Sequence, residues 1–356
     1  MLYGMCNPHG GDIYEGNVRL DFSANTNPFG TSPNVIRAVQ DVLEEMHHYP
    51  DPYCRKLVEA IAAFEEVPRE YILCGNGAAE LIYSYCEAAR PKLAVELAPT
   101  FSEYSLGLAR IGCTVKRYEL NPETGFLLTK DFLAFLEEIK PDALFLCNPN
   151  NPTGRTIPFD LLVQILNYCK ENRIRLFVDE CFCDLSDREE TLKGFLSQNP
   201  QLFLLKAFTK SYGMAGIRLG YCLTADRALL SGMAKTVQPW NVSGLAQAAG
   251  IAALEDSPFL RKIRAYIPKE RQWLQTHLEK LGFRVCPSEA NYLLFRGPDN
   301  LYRLLKEQGI SIRNCDNYPG LGAGWYRIGV RLREENEELI EAMTALREEA
   351  PWQRTL

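Results

Sequence analysis

Ala143-Leu144-Phe145-Leu146-Cys147-Asn148-Pro149-Asn150-Asn151-Pro152-Thr153-Gly154 opens the stretch that decides the fold, and Leu176-Phe177-Val178-Asp179-Glu180 closes it. A short apolar run leads into a turn rich in proline and asparagine. An amphipathic segment follows over 159–171, and a second apolar run ends on an acid. Strand, turn, helix, strand is the βαβ unit, in which the two strands run parallel. The same alternation extends outward in both directions, from about 72 to 224. It predicts strands at 94–97, 114–118, 143–146, 176–178, 203–206 and 218–223, and helices at 79–89, 159–171 and 226–236. The expectation is an α/β fold with a mostly parallel central sheet and helices on both faces.

After Pro258 the pattern changes. One long helix to about 281, short strands at 284–287, 292–296 and 310–313, and a charged helix from Glu334 read as a smaller α+β domain. The Pro- and Asn-rich start is expected to pack with it. The division is therefore 46–257 for the large domain, and 1–45 with 258–356 for the small one.

Composition narrows the function. The 356 residues are 46% hydrophobic, enough for a large core and roughly two domains. A net charge of −6, from 39 basic and 45 acidic residues spread along the chain, leaves no basic patch for nucleic acid. Twelve cysteines are scattered singly, without ligand spacing for a metal, and no charged-then-apolar leader is present. A reducing cytoplasm is the expected compartment and buried small hydrophobes the expected role for the thiols. No apolar run is long enough to span a bilayer.

Four segments carry chemistry. In Ala207-Phe208-Thr209-Lys210-Ser211-Tyr212-Gly213 a lysine sits in a small, apolar setting, with Arg218 eight residues on. Desolvation disfavours the ammonium, which frees the amine to form a Schiff base with an aldehyde. Alone, a surface loop after a strand would look the same. Asp179 ends an apolar strand, where ligands bind in open parallel sheets and where acids are also simply common. Cys74-Gly75-Asn76-Gly77-Ala78-Ala79-Glu80 is a glycine turn entering a helix, whose free amides and dipole suit a phosphate, although a lone Gly-x-Gly is usually only a tight turn. Asn148 to Gly154 presents amide side chains on a loop stiffened by prolines.

In this order and spacing the motifs resemble the class I/II aminotransferase family, and the likeness spans nearly the whole chain. It implies the fold type I pyridoxal-phosphate (PLP) transferase architecture. By the resemblance Lys210 carries the cofactor, Asp179 pairs with its pyridine nitrogen, Asn151 contacts the phenolic oxygen and Phe101 stacks on the ring. Gly75, Asn76, Gly77, Thr209 and Arg218 would hold the phosphate, with Tyr49 reaching in from a second subunit, so a homodimer is implied. Two positions depart from the family pattern: Phe182 stands where a tyrosine is common and Ala207 where a serine is common.

Within the family, the chain is similar to histidinol-phosphate aminotransferases and to the threonine-phosphate decarboxylases of cobalamin biosynthesis. His9-Gly10-Gly11, Leu20 to Pro28, Gln238 to Val242, Ala290 to Leu294, Ile312 to Leu321 and Phe182 favour the decarboxylases. A substrate with a carboxylate and a phosphate needs two cation sites. Arg327 matches the family's carboxylate-binding arginine, Arg313 and His9 are candidates for the phosphate, and Asn25 is a further substrate contact. Arg327, Arg313 and His9 also have plainer readings: a sheet-face cation, a surface salt bridge and a terminal histidine. The expected function is decarboxylation of O-phospho-L-threonine, or its serine analogue, for cobamide biosynthesis. The enzyme alternative is transamination of histidinol phosphate with 2-oxoglutarate, and the non-enzyme one is a cofactor-bound sensor, for which no DNA-binding module is seen.

Overall fold

The computed structural model describes residues 9–14, 16–187 and 190–349. The strands are β1 (Leu20–Asp21), β2 (Ile72–Gly75), β3 (Leu93–Ala98), β4 (Thr114–Glu119), β5 (Ala143–Cys147), β6 (Arg175–Asp179), β7 (Leu202–Ala207), β8 (Gly220–Leu223), β9 (Arg284–Val285), β10 (Tyr292–Arg296), β11 (Ile310–Ser311), β12 (Arg313–Asn314) and β13 (Trp325–Gly329). The α-helices are α1 (Pro33–Asp41), α2 (Arg55–Glu65), α3 (Gly77–Ala89), α4 (Glu103–Arg110), α5 (Asp131–Ile139), α6 (Phe159–Glu171), α7 (Phe208–Ser211), α8 (Arg227–Ala234), α9 (Gly244–Glu255), α10 (Ser257–Lys280), α11 (Leu301–Glu307) and α12 (Arg333–Glu349).

Seven strands form the large sheet in the order β2-β8-β7-β6-β5-β3-β4. β7, β6, β5, β3 and β4 pair in parallel, whereas β8 runs against both β7 and β2. The central strands β5 and β7 are buried throughout because helices cover both faces. On one face Phe145, Phe177 and Phe203, register partners on adjacent strands, stack at centroid distances of 4.8 Å under Tyr85 of α3. On the other, Leu144, Leu176, Val178 and Leu204 meet α2, α6 and α9. The edge strand β4 carries Lys116, Arg117 and Glu119, charges that discourage pairing with another chain.

A second sheet, β12-β13-β10-β9, is antiparallel and packs its apolar side on α10 and α12, while β1 and β11 form a separate parallel pair. The long helix over 257–280 starts where Asp256 accepts a hydrogen bond from the Phe259 amide, with Pro258 in its first turn.

The structure departs from the sequence reading in several places. The strand expected at 218–223 starts at Gly220, because Ala215–Ile217 turns tightly and Arg218 adopts a left-handed φ of 59°. The strand expected at 310–313 is two, pairing with different partners. Helix α9 was not foreseen: its alanines, leucines and isoleucine fall on all sides, with no periodicity to read, because α1 and α2 both lie against it. The contact between α1 and α9 also sets 33–41 against the large-sheet helices rather than with the rest of 1–45. We propose the two-domain division with that amendment.

Candidate active site

The parallel strands of the large sheet, and β2 with them, end at one edge, and β8 begins there because it runs the other way. Loops from that edge bring Ala78, Ala79, Phe101, Cys147, Asn151, Asp179, Cys181, Phe182, Ala207, Thr209, Lys210 and Arg218 around a cavity of about 430 Å³. His9, Gly10, Ser23, Ala24 and Asn25, with Arg313, Tyr318 and Arg327 from the small sheet and its loop, supply the opposite wall.

Lys210 follows β7 on the single turn α7. Burial and the nearby Arg327 guanidinium lower its ammonium to about 8. Asp179, buried at the end of β6, has its carboxyl raised by burial; Oδ1 accepts from the Cys181 amide at 2.9 Å and Oδ2 from the Tyr104 hydroxyl at 2.6 Å. Three asparagines of the 148–154 turn separate by role. Asn148 Oδ1 accepts from the Ile157 amide at 2.9 Å, and Asn150 binds the Pro99 carbonyl, Thr100 and Thr153, so both hold the loop. Only Asn151 faces the cavity, its Oδ1 accepting from Arg327 Nη1.

Arg313 and Arg327 are register partners on β12 and β13, a pairing that puts their side chains on one face of the sheet. Arg327 Nη2 donates to the Ser23 carbonyl at 2.8 Å, and Arg313 Nη2 to Asn317 Oδ1 at 2.7 Å. His9 Nε2 lies 2.6 Å from Glu103 Oε1, and the Tyr83 hydroxyl donates to Glu103 Oε2 at 2.6 Å. The bond with His9 is the main reason the Glu103 carboxyl sits below its ordinary range.

Gly75, Asn76, Gly77 and Tyr49 do not line the cavity of their own chain. Gly75 packs so tightly on Leu81 that a Cβ would lie 2.7 Å from Leu81 Cγ. The Asn76 amide donates to Glu80 Oε2 at 2.7 Å and its side chain to the Asn241 carbonyl at 3.0 Å, so neither is turned to the cavity. At Gly77 φ is +80° and a Cβ would sit 2.7 Å from Arg218 Nη2: the missing side chain is what lets the guanidinium lie across the turn. Tyr49 is exposed and stacks on Trp240 at 4.5 Å. The first-turn residues that do reach the cavity from this loop are Ala78 and Ala79.

The model of the family described as aminotransferase class I and II matches residues 18–343. The chain belongs to that family. The family is PLP-dependent, and the cofactor here is pyridoxal phosphate. A threonine-phosphate decarboxylase of Salmonella typhimurium is 38% identical over 94% of this chain and 95% of its own length. A histidinol-phosphate aminotransferase of Caldanaerobacter subterraneus is 31% identical over 91% and 92% respectively. The solved histidinol-phosphate aminotransferase of Clostridium acetobutylicum has a TM-score of 0.87 at 26% identity, covering 93% of this chain and 99% of that one.

The residues present fit the cofactor. The Arg218 guanidinium, lying in the space a Gly77 Cβ would take, and the α3 N-terminus would hold the cofactor's phosphate, and Thr209 lines the same cavity. Phe101 offers a ring face, Asp179 an acid for the pyridine nitrogen, and Asn151 an amide for the phenolic oxygen. Phe182 adds no hydroxyl there; it meets Tyr292 edge-on at 5.0 Å, and the Tyr292 hydroxyl is spent on the Asn150 carbonyl. Asn25 lines the cavity with both amide atoms buried and without a hydrogen-bond partner, as a ligand contact would be.

Glu103 and Tyr104 were missed by sequence reasoning. They follow Phe101 within one turn, and only the direction of α4 reveals that one faces the cavity and the other runs beneath Asp179. Among the described residues no group of side chains could hold a metal ion, all cysteines are free thiols, and no helix is long and apolar enough to cross a membrane.

Proposed function

We propose that this chain decarboxylates O-phospho-L-threonine, or O-phospho-L-serine, to an amino-alcohol phosphate and carbon dioxide, in the cytoplasm and for cobamide synthesis. The observation that carries the reading is the Arg313–Arg327 pair, two buried guanidiniums in register opposite Lys210, which suits two anions on one short substrate. The 38% identity to a threonine-phosphate decarboxylase supports it.

Bound pyridoxal phosphate supplies an electron sink for whichever bond to Cα stands perpendicular to its ring. This chain's residues select the bond. Arg327, oriented by Asn151 and the Ser23 carbonyl, takes the substrate carboxylate. Arg313 and His9 take the phosphate, with His9 held by Glu103, and Asn25 offers its amide to the substrate. Together these contacts would orient the bond from Cα to the carboxylate for cleavage, its electron pair passing to the sink the cofactor would supply as carbon dioxide is released. Lys210 Nζ, whose lowered pKa lets it exchange a proton near neutrality, then protonates Cα. A pocket discriminates weakly against one missing methyl, so threonine and serine phosphates both qualify.

The second reading is transamination of histidinol phosphate, which the Clostridium acetobutylicum structure favours. The test is to load the protein with pyridoxal phosphate, add O-phospho-L-threonine without a keto acid, and follow carbon dioxide and cofactor absorbance together. Release with the starting absorbance regained supports the decarboxylase; no release, with amination of the cofactor by histidinol phosphate, replaces it with the transaminase.

Tyr49 does not line its own cavity and is exposed, stacked on Trp240, and Met46 and Tyr53 nearby in sequence are exposed as well. This supports a homodimer in which Tyr49 reaches the partner's phosphate cradle. A monomer at micromolar concentration by sedimentation, with full activity, would remove that proposal.

A further inference from the structure

Asp179 is not left to face a cofactor alone. Its two oxygens accept from the Cys181 amide at 2.9 Å and from the Tyr104 hydroxyl at 2.6 Å. Tyr104 is fully buried, and its ring is wedged among Phe101, Phe145 and Phe177 at centroid distances of 5.7, 5.8 and 5.8 Å. With those apolar faces around the ring, the hydroxyl donates to Asp179 and lies beside the Cys147 thiol. Cys147, the other polar group beside it, turns its thiol to the Pro149 carbonyl at 3.2 Å.

A carboxylate and a pyridine nitrogen that share one proton divide it according to their basicities. In a site as dry as this one, burial favours the neutral acid, which would draw the proton from nitrogen to oxygen. Each hydrogen bond donated to the carboxylate favours its ionised form and works the other way. The carboxylate has lone pairs to spare for the ring N–H while accepting both bonds. The polarity of the Tyr104 bond is fixed, because burial first and the adjacent Asp179 charge second push the phenol far above its ordinary range, so it remains a donor.

We propose that Tyr104 is a positioning residue that keeps Asp179 ionised, so that the proton between Asp179 and the cofactor's ring nitrogen stays on nitrogen. The proposal rests on the reading that Asp179 pairs with that nitrogen. It makes the cofactor's electron-sink strength depend on a side chain that touches neither substrate nor cofactor.

The experiment is the ¹⁵N NMR shift of pyridoxal phosphate labelled at the ring nitrogen, bound to the wild type, Tyr104→Phe and Asp179→Asn, with thermal melts to verify folding. Wild type is expected at the protonated position, Asp179→Asn at the unprotonated one, and Tyr104→Phe displaced from the first toward the second. An unmoved Tyr104→Phe signal beside a displaced Asp179→Asn signal overturns the role of Tyr104 and leaves Asp179 intact. If neither variant moves, the reading of Asp179 fails. Should Tyr104→Phe not fold, 3-fluorotyrosine incorporated at position 104, a stronger donor of nearly the same shape, is expected to hold the signal at the protonated position, and a shift toward the unprotonated one overturns the proposal.

Discussion

Lys210 shows how one residue's surroundings set both a cost and a capability. Burial and Arg327 bring its ammonium down to about 8, against about 10.4 in an unfolded chain. Below pH 8 the native state carries the full cost of a poorly solvated cation. Between about 8 and 10.4 the unfolded chain binds a proton that the native state does not, so this residue makes stability rise with pH across that window. The cofactor-free Lys210→Met protein is therefore expected to melt a few degrees above the wild type at pH 7, with the gap closing between pH 8 and 10.4. Calorimetry of both proteins over pH 6–10 checks it, and a gap independent of pH would show that the lysine is not desolvated. With its pKa at about 8 the lysine is roughly one-tenth neutral amine at pH 7, far more than an ordinary lysine, and the neutral amine is the form that captures an aldehyde.

At the scale of elements, the site is built from strand ends and close backbone approaches. β8 reverses direction and so delivers Arg218 to the edge where its neighbours end. Gly220 makes that possible: a Cβ there would lie 2.8 Å from the Ala78 amide nitrogen. Gly77 completes the cradle with its φ of +80° under the Arg218 guanidinium. Gly77→Ala is expected to fold with native secondary structure but displace Arg218. Losing a charge-assisted hydrogen bond costs about 1.5–3 kcal/mol, so cofactor affinity should weaken roughly tenfold to a hundredfold. Fluorescence titration with pyridoxal phosphate measures this, and an unchanged Kd would mean that Arg218 makes no phosphate contact. The small sheet works through register instead, since a one-residue slip of β12 on β13 would turn Arg313 out of the cavity.

Across the whole molecule, a buried ionic cluster joins the large sheet to the C-terminal part. Lys206 Nζ lies 3.5 Å from Glu65 and Glu180 and 3.7 Å from Asp184, and Arg264 of α10 donates to the Asp184 carbonyl at 2.7 Å. Burial opposes the Lys206 charge, but the three carboxylates outweigh it and hold its ammonium well above the usual range. Glu65 also takes the Tyr221 hydroxyl at 2.5 Å and Lys193 at 3.3 Å. Removing the central cation leaves buried acids facing one another. Lys206→Met is expected to lose about 3–5 kcal/mol of stability, as when one partner of a buried pair is deleted. Urea unfolding measures it, and a loss below about 1 kcal/mol would show that the acids regain partners or water.

The α/β fold, the long helix over 257–280 and the order of the motifs were legible before any tertiary structure, because hydrophobic periodicity and turn chemistry are local. The sequence also singled out Lys210, Asp179, Arg218, Arg313 and Arg327, with the family resemblance assigning their roles and pointing to Asn151. Only the tertiary structure decided which of three asparagines in one turn faces the cavity, that Ala78 and Ala79 rather than Gly75 and Asn76 line it, and that Glu103 and Tyr104 serve His9 and Asp179 from 94 and 75 residues away. It also decided the placement of α9, whose mostly apolar sequence, with its small and large residues on all sides, gives no period to read. The division follows from range: a residue's propensity is written in its neighbours, whereas its partner across a cavity depends on strand order, register and helix direction, which burial of the whole core fixes together.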